Sequence, residues 1–220
     1  MSSLNVASFD CELRLFESGY DIVLGIDEAG RGPLAGPVVA AACVLRDSES
    51  TQDDDVMWAF VRDSKTVPEG RRDAVFDFVN QKYFVGVGIV EAPQIDEINI
   101  LQATFEAMRA AVGDLESEQS NIFLGKKVMV LVDGNALIPL LEKEQKTVTA
   151  GDSKVKCIAA ASVIAKVTRD RLMRDYTQQY PEYGFDKHKG YGTRAHMEAL
   201  VTHGATPIHR RSFGPVKRIL

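Results

Sequence analysis

The chain has 220 residues, 45% hydrophobic and 26% charged, with a formal net charge of −5 at pH 7. No stretch approaches the roughly 18 apolar residues of a membrane span, and the N-terminus lacks the basic and apolar regions of a secretory signal, so we expect a cytoplasmic protein without membrane contact. The three cysteines, odd in number and widely spaced, exclude a disulfide framework or a zinc ribbon and are expected to be reduced.

The charge is unevenly distributed along the chain. Residues 187–220 contain seven Lys or Arg and one acid, a charge of +6, so the remaining 186 residues carry −11. Such a basic end is either a solvated tail or a surface that faces phosphate. Composition alone leaves both interpretations open.

Strands and helices alternate in the first half of the chain. Residues 22–28 and 36–45 are nearly continuous apolar runs bounded by glycine, which predicts buried strands. Thr66 and Glu69 have the spacing of a capping box and predict a helix start there. Residues 83–91 predict a further strand.

A second helix is expected after this strand. Asp96 and Glu97 would lie at its N-terminus, where negative charge is favourable. Its apolar face is predicted to consist of Ile98, Leu101, Phe105, Met108 and Val112.

The second half of the chain begins with strands and becomes helical. Residues 127–133 and the segment KTVTAGD, residues 146–152, each predict a strand that ends in an acid next to glycine. Residues 155–179 predict a long helix, and a shorter helix should stop at Gly204. The order indicates a layered α/β core followed by a more helical C-terminal part, with no internal repeat or linker.

Acids follow three of the predicted strands: Asp27 with Glu28, then Asp133, then Asp152. Any one of them alone is more simply a turn-forming residue beside glycine. Ligands of α/β proteins bind at the carboxyl ends of strands, so several such acids favour a shared site. Clustered carboxylates repel one another and need cations, and oxygen ligands select Mg²⁺ or Mn²⁺ over zinc. Because adjacent strand residues point to opposite faces, Asp27 and Glu28 can share a site only if the first strand ends or bulges there, and the glycines that follow permit this.

The glycine run after the acid pair suits close approach to a sugar-phosphate chain. Gly30 and Gly32 leave backbone amides unobstructed, and Arg31 adds a guanidinium between them. A lone GRG is usually only a turn, but beside a cluster of acids it becomes a candidate for positioning substrate.

Six blocks of sequence resemble one known family. They are residues 25–45 (GIDEAGRGPLAGPVVAAACVL), 63–65 (DSK), 131–135 (LVDGN), 151–170 (GDSKVKCIAAASVIAKVTRD), 183–193 (YGFDKHKGYGT) and 209–217 (HRRSFGPVK). Together, and in this order, they resemble bacterial ribonuclease HII. The resemblance implies an α/β protein with a ribonuclease H-like fold: a central mixed β-sheet flanked by helices, with a helical C-terminal extension.

The resemblance also implies an activity and a domain organisation. The activity is endonucleolytic cleavage of RNA paired with DNA and cleavage 5′ of single ribonucleotides in duplex DNA, leaving 3′-hydroxyl and 5′-phosphate ends, for ribonucleotide excision repair. The implied domain spans residues 1–220, with a core over about 20–180 and a substrate-contacting extension over about 181–220. The implied cofactor is Mg²⁺ or Mn²⁺, the partner is nucleic acid, and a monomer is expected.

The matching motifs assign roles to particular residues. The implied catalytic and metal-binding residues are Asp27, Glu28, Asp133 and Asp152. The implied substrate-binding residues are Gly30, Arg31, Gly32, Ser64, Lys65, His188, Lys189 and Tyr191. In the family, the glycine-rich backbone and the tyrosine sense the ribose 2′-hydroxyl at an RNA-to-DNA step, and basic residues contact phosphates.

Three further residues are less clearly assigned. Asp170 is expected to support the site from within its helix, paired with Arg169 or Arg171. Arg210 and Arg211 either contact phosphate or pair with acids of the core.

The chain departs from the family in few places. Residues 46–61 are longer and more acidic than the family leads us to expect, which predicts a distinct surface loop, and residues 1–20 carry no family block. The absence of the extra domain of the HIII type favours HII, and no clamp-binding motif supports a replication-clamp partner.

Three other functions have weaker support. A nucleotide-binding enzyme would use GRGPLAG as a phosphate loop, but the GK[ST] ending is missing. A zinc hydrolase would need a motif such as HExxH among the four histidines, which is absent. A non-catalytic module that binds hybrids would leave the acids without a role.

Overall fold

A computed structural model describes residues 7–52 and 55–220. Residues 53 and 54 of the predicted acidic loop lie outside the described residues. The strands are β1 (Ile22–Ala29), β2 (Val38–Leu45), β3 (Tyr83–Val90), β4 (Val128–Asp133) and β5 (Glu144–Val148). The α-helices are α1 (Asp10–Glu17), α2 (Glu69–Lys82), α3 (Ala92–Glu118), α4 (Ser120–Phe123), α5 (Lys156–Gln179), α6 (Phe185–His188), α7 (Arg194–His203) and α8 (Gly214–Lys217). Short 3₁₀ turns lie at Ser48–Gln52, Val56–Phe60, Gly151–Ser153 and Pro181–Tyr183.

The five strands form one mixed sheet, as the sequence predicts. The strand order is β3-β2-β1-β4-β5. β1 is parallel to β4, and β4 is parallel to β5, whereas β2 runs antiparallel to both of its neighbours. The carboxyl ends of β1, β4 and β5 therefore lie at the same edge of the sheet, and the segments that follow them are brought together there.

Helices cover both faces of the sheet, and glycines allow their close approach. A Cβ atom at Gly25 of β1 would lie 2.2 Å from the backbone carbon of Cys157 in α5. On the other face, a Cβ at Gly88 of β3 would lie 2.0 Å from the carbonyl oxygen of Ala107 in α3. The strands are apolar on both faces because α3 and α5 bury them from opposite sides.

Several predicted elements are confirmed. The long helix predicted over residues 155–179 is α5, and α7 ends before Gly204, whose φ of 79° a glycine adopts without strain. Cys43 and Cys157 are buried, and all three cysteines are free, as expected. No helix in residues 7–52 and 55–220 is long and apolar enough to cross a membrane.

The capping-box prediction is wrong. Helix α2 begins at Glu69, directly after Pro68, and no side chain caps its N-terminus. The Thr66 hydroxyl instead donates a hydrogen bond of 2.7 Å to the carbonyl oxygen of Asp63. A capping box needs Thr66 next to the first helical residue, and here the helix starts too late for that.

The predicted start of α3 is also wrong. The helix begins at Ala92, before the two acids, and the non-helical backbone of Asn99 (φ 66°, ψ 163°) interrupts it. This break changes the phase of the helix, and Leu101 is 44% exposed instead of lying on the packed face. The Asp96 carboxylate has another role, because it accepts hydrogen bonds from the backbone N–H groups of Arg211 and Ser212.

The C-terminal part is helical, as predicted, and has its own apolar cluster. The buried members of this cluster are Leu34, Ala35, Met173, Tyr183, Phe185, Leu200, Ile208 and Val216. Leu34 and Ala35 belong to the loop of residues 30–37 between β1 and β2, called the GRG loop below, and Met173 belongs to α5. The last 40 or so residues are therefore packed against the loop that carries the GRG motif.

Candidate active site

A cavity of about 460 Å³ lies at the sheet edge where β1 and β4 end. Its lining residues are Asp27, Glu28, Ala29, Gly30, Arg31, Gly32, Ser64, Lys65, Arg72, Asp133, Asp152, Ser162, Lys166, Arg169 and Tyr191. All four predicted acids and the GRG motif are among them. A larger cleft of about 640 Å³, between α1 and the far end of the sheet, contains Asp21 and Asp47 but none of the predicted acids. We choose the smaller cavity as the candidate site because the predicted acids converge there, and not because of its volume.

Asp27 and Glu28 reach this cavity at the end of β1, which stops at Ala29 without a bulge, so the first of the two expected alternatives holds. The pairing of β1 with β2 continues without a skipped residue from Asp27 to Ala29. The pairing of β1 with β4 stops at Ile26. Beyond that point the β4 side of β1 is open, and this opening gives both carboxyl groups access to the cavity.

Burial and like charges raise the pKa of the acid pair. Asp27 is only 5% exposed, and burial raises its pKa well above the usual value, with further increases from Glu28 and Asp133. The pKa of Glu28 is raised mainly by burial, while Arg31, whose guanidinium lies 3.2 Å from the Glu28 carboxylate, opposes the shift. The site therefore concentrates negative charge that a bound cation would stabilise.

Asp133 and Asp152 belong to neighbouring segments of the same edge. Asp133 is the last residue of β4, and its Oδ1 accepts a hydrogen bond of 2.7 Å from the backbone N–H of Gly151. Asp152 is not at the end of β5, as the sequence suggested, but in the 3₁₀ turn Gly151–Ser153. Burial raises the pKa of Asp152, and Asp133 and Asp63 raise it further, while Lys65 lowers it.

The donor set fits a hard divalent ion in its chemistry. The converging groups are carboxylates, the ligands that Mg²⁺ and Mn²⁺ prefer. Within the described part of the chain, no three His, Cys, Asp or Glu side chains already form a metal-binding group. The acids thus share one cavity without forming a closed ligand set.

The GRG loop and Tyr191 form one wall of the cavity. Gly30 has a φ of 100°, which favours glycine, and Tyr191 is 48% exposed. A Cβ at Gly32 would lie 3.6 Å from the ring of Tyr191, so the tyrosine ring is adjacent to the glycine backbone. The two parts of the predicted ribose reader are brought together.

The structure separates the other predicted substrate contacts. Lys65 lines the cavity, and Ser64 is buried there with its Oγ 3.1 Å from the Oγ of Ser162. Ser162 also donates a hydrogen bond that favours the ionised form of Asp27. Ser64 therefore lies in the cavity wall, where its hydroxyl is paired with that of Ser162 next to Asp27.

His188 and Lys189 do not line this cavity, so their predicted phosphate contacts stay predictions for a surface outside it. The Nδ1 of His188 accepts a hydrogen bond from the N–H of Gly190, so its Nε2 donates to the carbonyl oxygen of Tyr183 at 2.8 Å. The ammonium group of Lys189 donates to the carbonyl oxygen of Asp186. Both side chains stabilise their own loop.

Asp170 pairs with two cations that line the cavity, and not with Arg169 or Arg171 as expected. Its carboxylate lies 2.6 Å from the ammonium group of Lys166 and 3.7 Å from the guanidinium of Arg72. Arg171 pairs with Asp73 instead. Lys166 and Arg72 line the cavity, and sequence reasoning missed both as site residues. Helical spacing could have revealed Lys166, which is one turn from both Ser162 and Asp170.

The fold and the site define a protein of the ribonuclease H-like class. The structure is similar to the ribonuclease H2 of Pyrococcus horikoshii OT3, with a TM-score of 0.69 and 28% identity over 90% of this chain and 96% of that chain. It also shares its fold with Bst-RNase HIII in complex with Mn²⁺, with a TM-score of 0.69 and 15% identity over 94% of this chain and 71% of that chain.

The family is then identified by sequence. The Ribonuclease HII family model matches residues 24–216. Ribonuclease HII of Endomicrobium trichonymphae is 45% identical over 217 residues, which cover 98% of this chain and 95% of that protein. The corresponding protein of Acetivibrio thermocellus is 48% identical over 203 residues, or 92% of this chain and 73% of that protein. The chain belongs to the ribonuclease HII family and is a ribonuclease H, a hydrolase that acts on nucleic acid.

Proposed function

We propose that this protein cuts the RNA strand of RNA–DNA hybrids and cleaves on the 5′ side of single ribonucleotides in duplex DNA. The products would carry 3′-hydroxyl and 5′-phosphate ends. The observation that carries the proposal is that one cavity is lined by four acids, the GRG loop and Tyr191. The acids suit metal-assisted hydrolysis of a phosphodiester, and the loop and tyrosine suit recognition of a ribose.

The metal-binding residues would be Asp27, Glu28, Asp133 and Asp152. Two Mg²⁺ or Mn²⁺ ions, when bound, supply activation of a water molecule and stabilisation of the departing 3′-oxygen. The protein holds the acids for this purpose: the N–H of Gly151 fixes the Asp133 carboxylate, and Ser162 supports that of Asp27. The Mn²⁺ complex of Bst-RNase HIII supports the choice of a divalent ion.

The substrate contacts would divide into ribose recognition and phosphate positioning. The amides of the GRG loop and the side chain of Tyr191 would contact the ribose 2′-hydroxyl, the group that distinguishes RNA from DNA. Lys65 in the cavity, together with His188 and Lys189 outside it, would contact phosphates. Phosphate contacts carry no sequence information, so cleavage should be insensitive to sequence and should weaken as salt rises.

The biological role would follow from this specificity. Incision beside a misplaced ribonucleotide is the first step of ribonucleotide excision repair, which would occur in the cytoplasm of a bacterial cell. We assign residues of about 20–180 to the catalytic core and about 181–220 to substrate contact, acting as a monomer.

A cleavage assay tests the proposal. Duplex DNA with one ribonucleotide, labelled at either end, would be incubated with the protein with Mg²⁺ or with EDTA. We expect a single cut on the 5′ side of the ribonucleotide in Mg²⁺ only. Binding without a cut in both conditions would instead support a non-catalytic hybrid-binding module. Cleavage of an all-DNA duplex at the same rate would refute the ribose specificity.

A further inference from the structure

Arg169 and Arg210 are buried arginines that bind backbone instead of acids. They are 1% and 0% exposed. Within the described part of the chain, neither guanidinium is part of an ion pair within 4.0 Å. A buried charge without an anion is costly unless its donors are satisfied by hydrogen bonds. These two residues therefore need a structural reason for their position.

Arg210 directs all of its assigned hydrogen bonds to the GRG loop. Its guanidinium donates to the carbonyl oxygens of Gly30 at 2.6 Å, Arg31 at 3.0 Å and Gly36 at 3.0 Å. The carbonyl groups of Gly30 and Arg31 belong to the same peptide units as the N–H groups of Arg31 and Gly32. A cation bound to a carbonyl polarises the peptide unit and strengthens its N–H as a donor.

The two amides that Arg210 polarises have no other assigned role. In residues 7–52 and 55–220, no backbone hydrogen bond leaves the N–H of Arg31 or Gly32. Both residues line the cavity beside Tyr191. Both amides are therefore free to donate to a ligand in the cavity, and an oxygen of the substrate is a suitable acceptor.

Arg169 connects this loop to the loop of Tyr191. Its guanidinium donates to the carbonyl oxygens of Ala35 at 3.1 Å, Pro37 at 2.9 Å and Lys189 at 3.0 Å. A residue larger than glycine does not fit at Gly30, because its Cβ would lie 2.1 Å from the Nε of Arg169. Arg169 thus helps to fix the relative position of the glycine amides and the tyrosine, together with the hydrogen bond of 2.8 Å from the N–H of Leu34 to the carbonyl oxygen of Gly190.

Both arginines remain charged at neutral pH. Burial lowers the pKa of Arg169 to about 10. Burial, together with the nearby charge of Arg169, lowers the pKa of Arg210 to about 9. The polarising charge is therefore present under physiological conditions.

We propose that Arg210, assisted by Arg169, is a positioning residue for ribose recognition, which orients and polarises the amides of Arg31 and Gly32 toward the 2′-hydroxyl. The inference rests on the proposed function, since it assumes that these amides read a ribose. It differs from a purely structural role because it predicts a loss of ribose preference that exceeds any loss of folded protein.

The test compares binding of two duplexes, one with a single ribonucleotide and one with the matching deoxyribonucleotide. Asp133→Asn is present in every variant to prevent cleavage. Arg210→Lys keeps the charge but loses the planar fork that reaches three carbonyl groups. We expect the ratio of the two affinities to fall roughly tenfold or more, as for a lost hydrogen bond to a charged group. Arg211→Lys, the same change at the neighbouring exposed residue, should leave the ratio unchanged.

The outcomes separate this inference from the proposed function. If the parent protein does not prefer the ribonucleotide duplex, the proposed function itself fails. If the parent prefers it and Arg210→Lys retains the full preference while folded, the positioning role is wrong. Should Arg210→Lys not fold, the amide signals of Arg31 and Gly32 in the parent protein are followed by NMR. They should shift with the ribonucleotide duplex and not with DNA, and equal shifts with both would overturn the inference.

Discussion

Gly151 donates its backbone N–H to the Asp133 carboxylate at 2.7 Å, which joins the end of β4 to the turn that carries Asp152. A Cβ at Gly151 would lie 3.2 Å from the same carboxylate oxygen and 2.6 Å from the Cδ1 of Ile158. Glycine at this position therefore allows two acids, distant in sequence, to share one cavity.

Asp133→Asn tests the importance of this carboxylate. Asparagine keeps an oxygen that can accept from Gly151 but removes the negative charge, so the melting temperature should change little. Loss of a metal-binding carboxylate should lower kcat by roughly 10³-fold, equivalent to several kcal/mol of transition-state stabilisation. The measurement is cleavage of a single-ribonucleotide duplex in Mg²⁺, and full activity would remove Asp133 from the site.

Tyr191 and Arg31 are expected to affect substrate choice. Tyr191→Ala and Arg31→Ala should each lower cleavage at a single embedded ribonucleotide by roughly tenfold or more, because contacts near the ribose are lost. Tyr191→Phe keeps the ring and separates the contribution of the hydroxyl group. Unchanged rates and unchanged discrimination in both alanine variants would refute the assignment of these residues as the ribose reader.

Lys65 should contribute through charge. If Lys65 contacts one phosphate, Lys65→Ala should weaken binding equally for all sequences and reduce the slope of log Kd against log salt by about 1. Lys126→Ala is the control, because Lys126 pairs with Asp21 at the opposite end of the sheet. An identical salt dependence in Lys65→Ala and the parent would exclude the phosphate contact.

The acids could be predicted from sequence because strand ends are visible in it. An apolar run that ends in Asp next to Gly predicts that Asp133 lies at a strand end. Because β1 and β4 are parallel, Asp133 and Asp27 lie at the same edge of the sheet, beside the cavity. The final position of Asp152 was less accurate, since the turn after β5 has no distinct pattern. The break at Asn99 is not predicted either: its side-chain oxygen accepts hydrogen bonds from the backbone N–H groups of Leu101 and Gln102, as an N-cap does, inside a sequence pattern that indicates one continuous helix.

The buried arginines could not be predicted. Arg169 and Arg210 bind carbonyl oxygens of residues 132 and 180 positions away, respectively, and every residue has a carbonyl group. No residue pattern marks such partners. The orientation of His188 could not be predicted either, because the hydrogen bonds of its ring nitrogens depend on the loop conformation.

The contact between β3 and α3 gives a prediction of stability. Gly88→Ala should destabilise the protein by about 1–3 kcal/mol or more, because its Cβ would lie 2.0 Å from the Ala107 carbonyl oxygen and the backbone must move. Gly113→Ala is the matched control in α3, where no atom lies within 4 Å of the added Cβ. This change should stabilise the helix by up to about 1 kcal/mol. Urea unfolding of both variants measures the two changes in the free energy of unfolding, which should have opposite signs.

Two neutral histidines, His196 and His209, form a hydrogen-bonded chain that ends on the carbonyl oxygen of Tyr191. The carbonyl oxygen of Tyr191 can only accept, so the Nδ1 of His196 donates to it, and the Nε2 of His196 then accepts from the Nε2 of His209 at 3.0 Å. The Nδ1 of His209 accepts from the N–H of Thr206 at 2.9 Å. Every ring nitrogen of His196 and His209 therefore takes part in a hydrogen bond, and protonation of either ring would break one of these bonds.

The stability of the fold should therefore depend on His209 as pH falls. Burial, and then the neighbouring His196, lower the pKa of His209 to about 4, from a usual value of 6.5. The stabilisation is present above pH 6.5 and is lost as pH falls toward 4, because the unfolded chain then binds a proton that the folded chain excludes. At 1.36 kcal/mol per pH unit, the loss by pH 5 is about 2 kcal/mol.

His209→Asn isolates this contribution. Acids such as Glu12, whose pKa burial raises, titrate with the opposite sign, so the difference between variant and parent is the quantity to compare. Urea unfolding should show the parent more stable than His209→Asn at pH 7.5, with the difference smaller by about 2 kcal/mol at pH 5. His203→Gln, at the exposed end of α7, should show no such narrowing. A constant difference between parent and His209→Asn at the two pH values would mean that His209 binds its proton as readily in the folded protein as in the unfolded chain, and the neutral chain behind Tyr191 would be wrong.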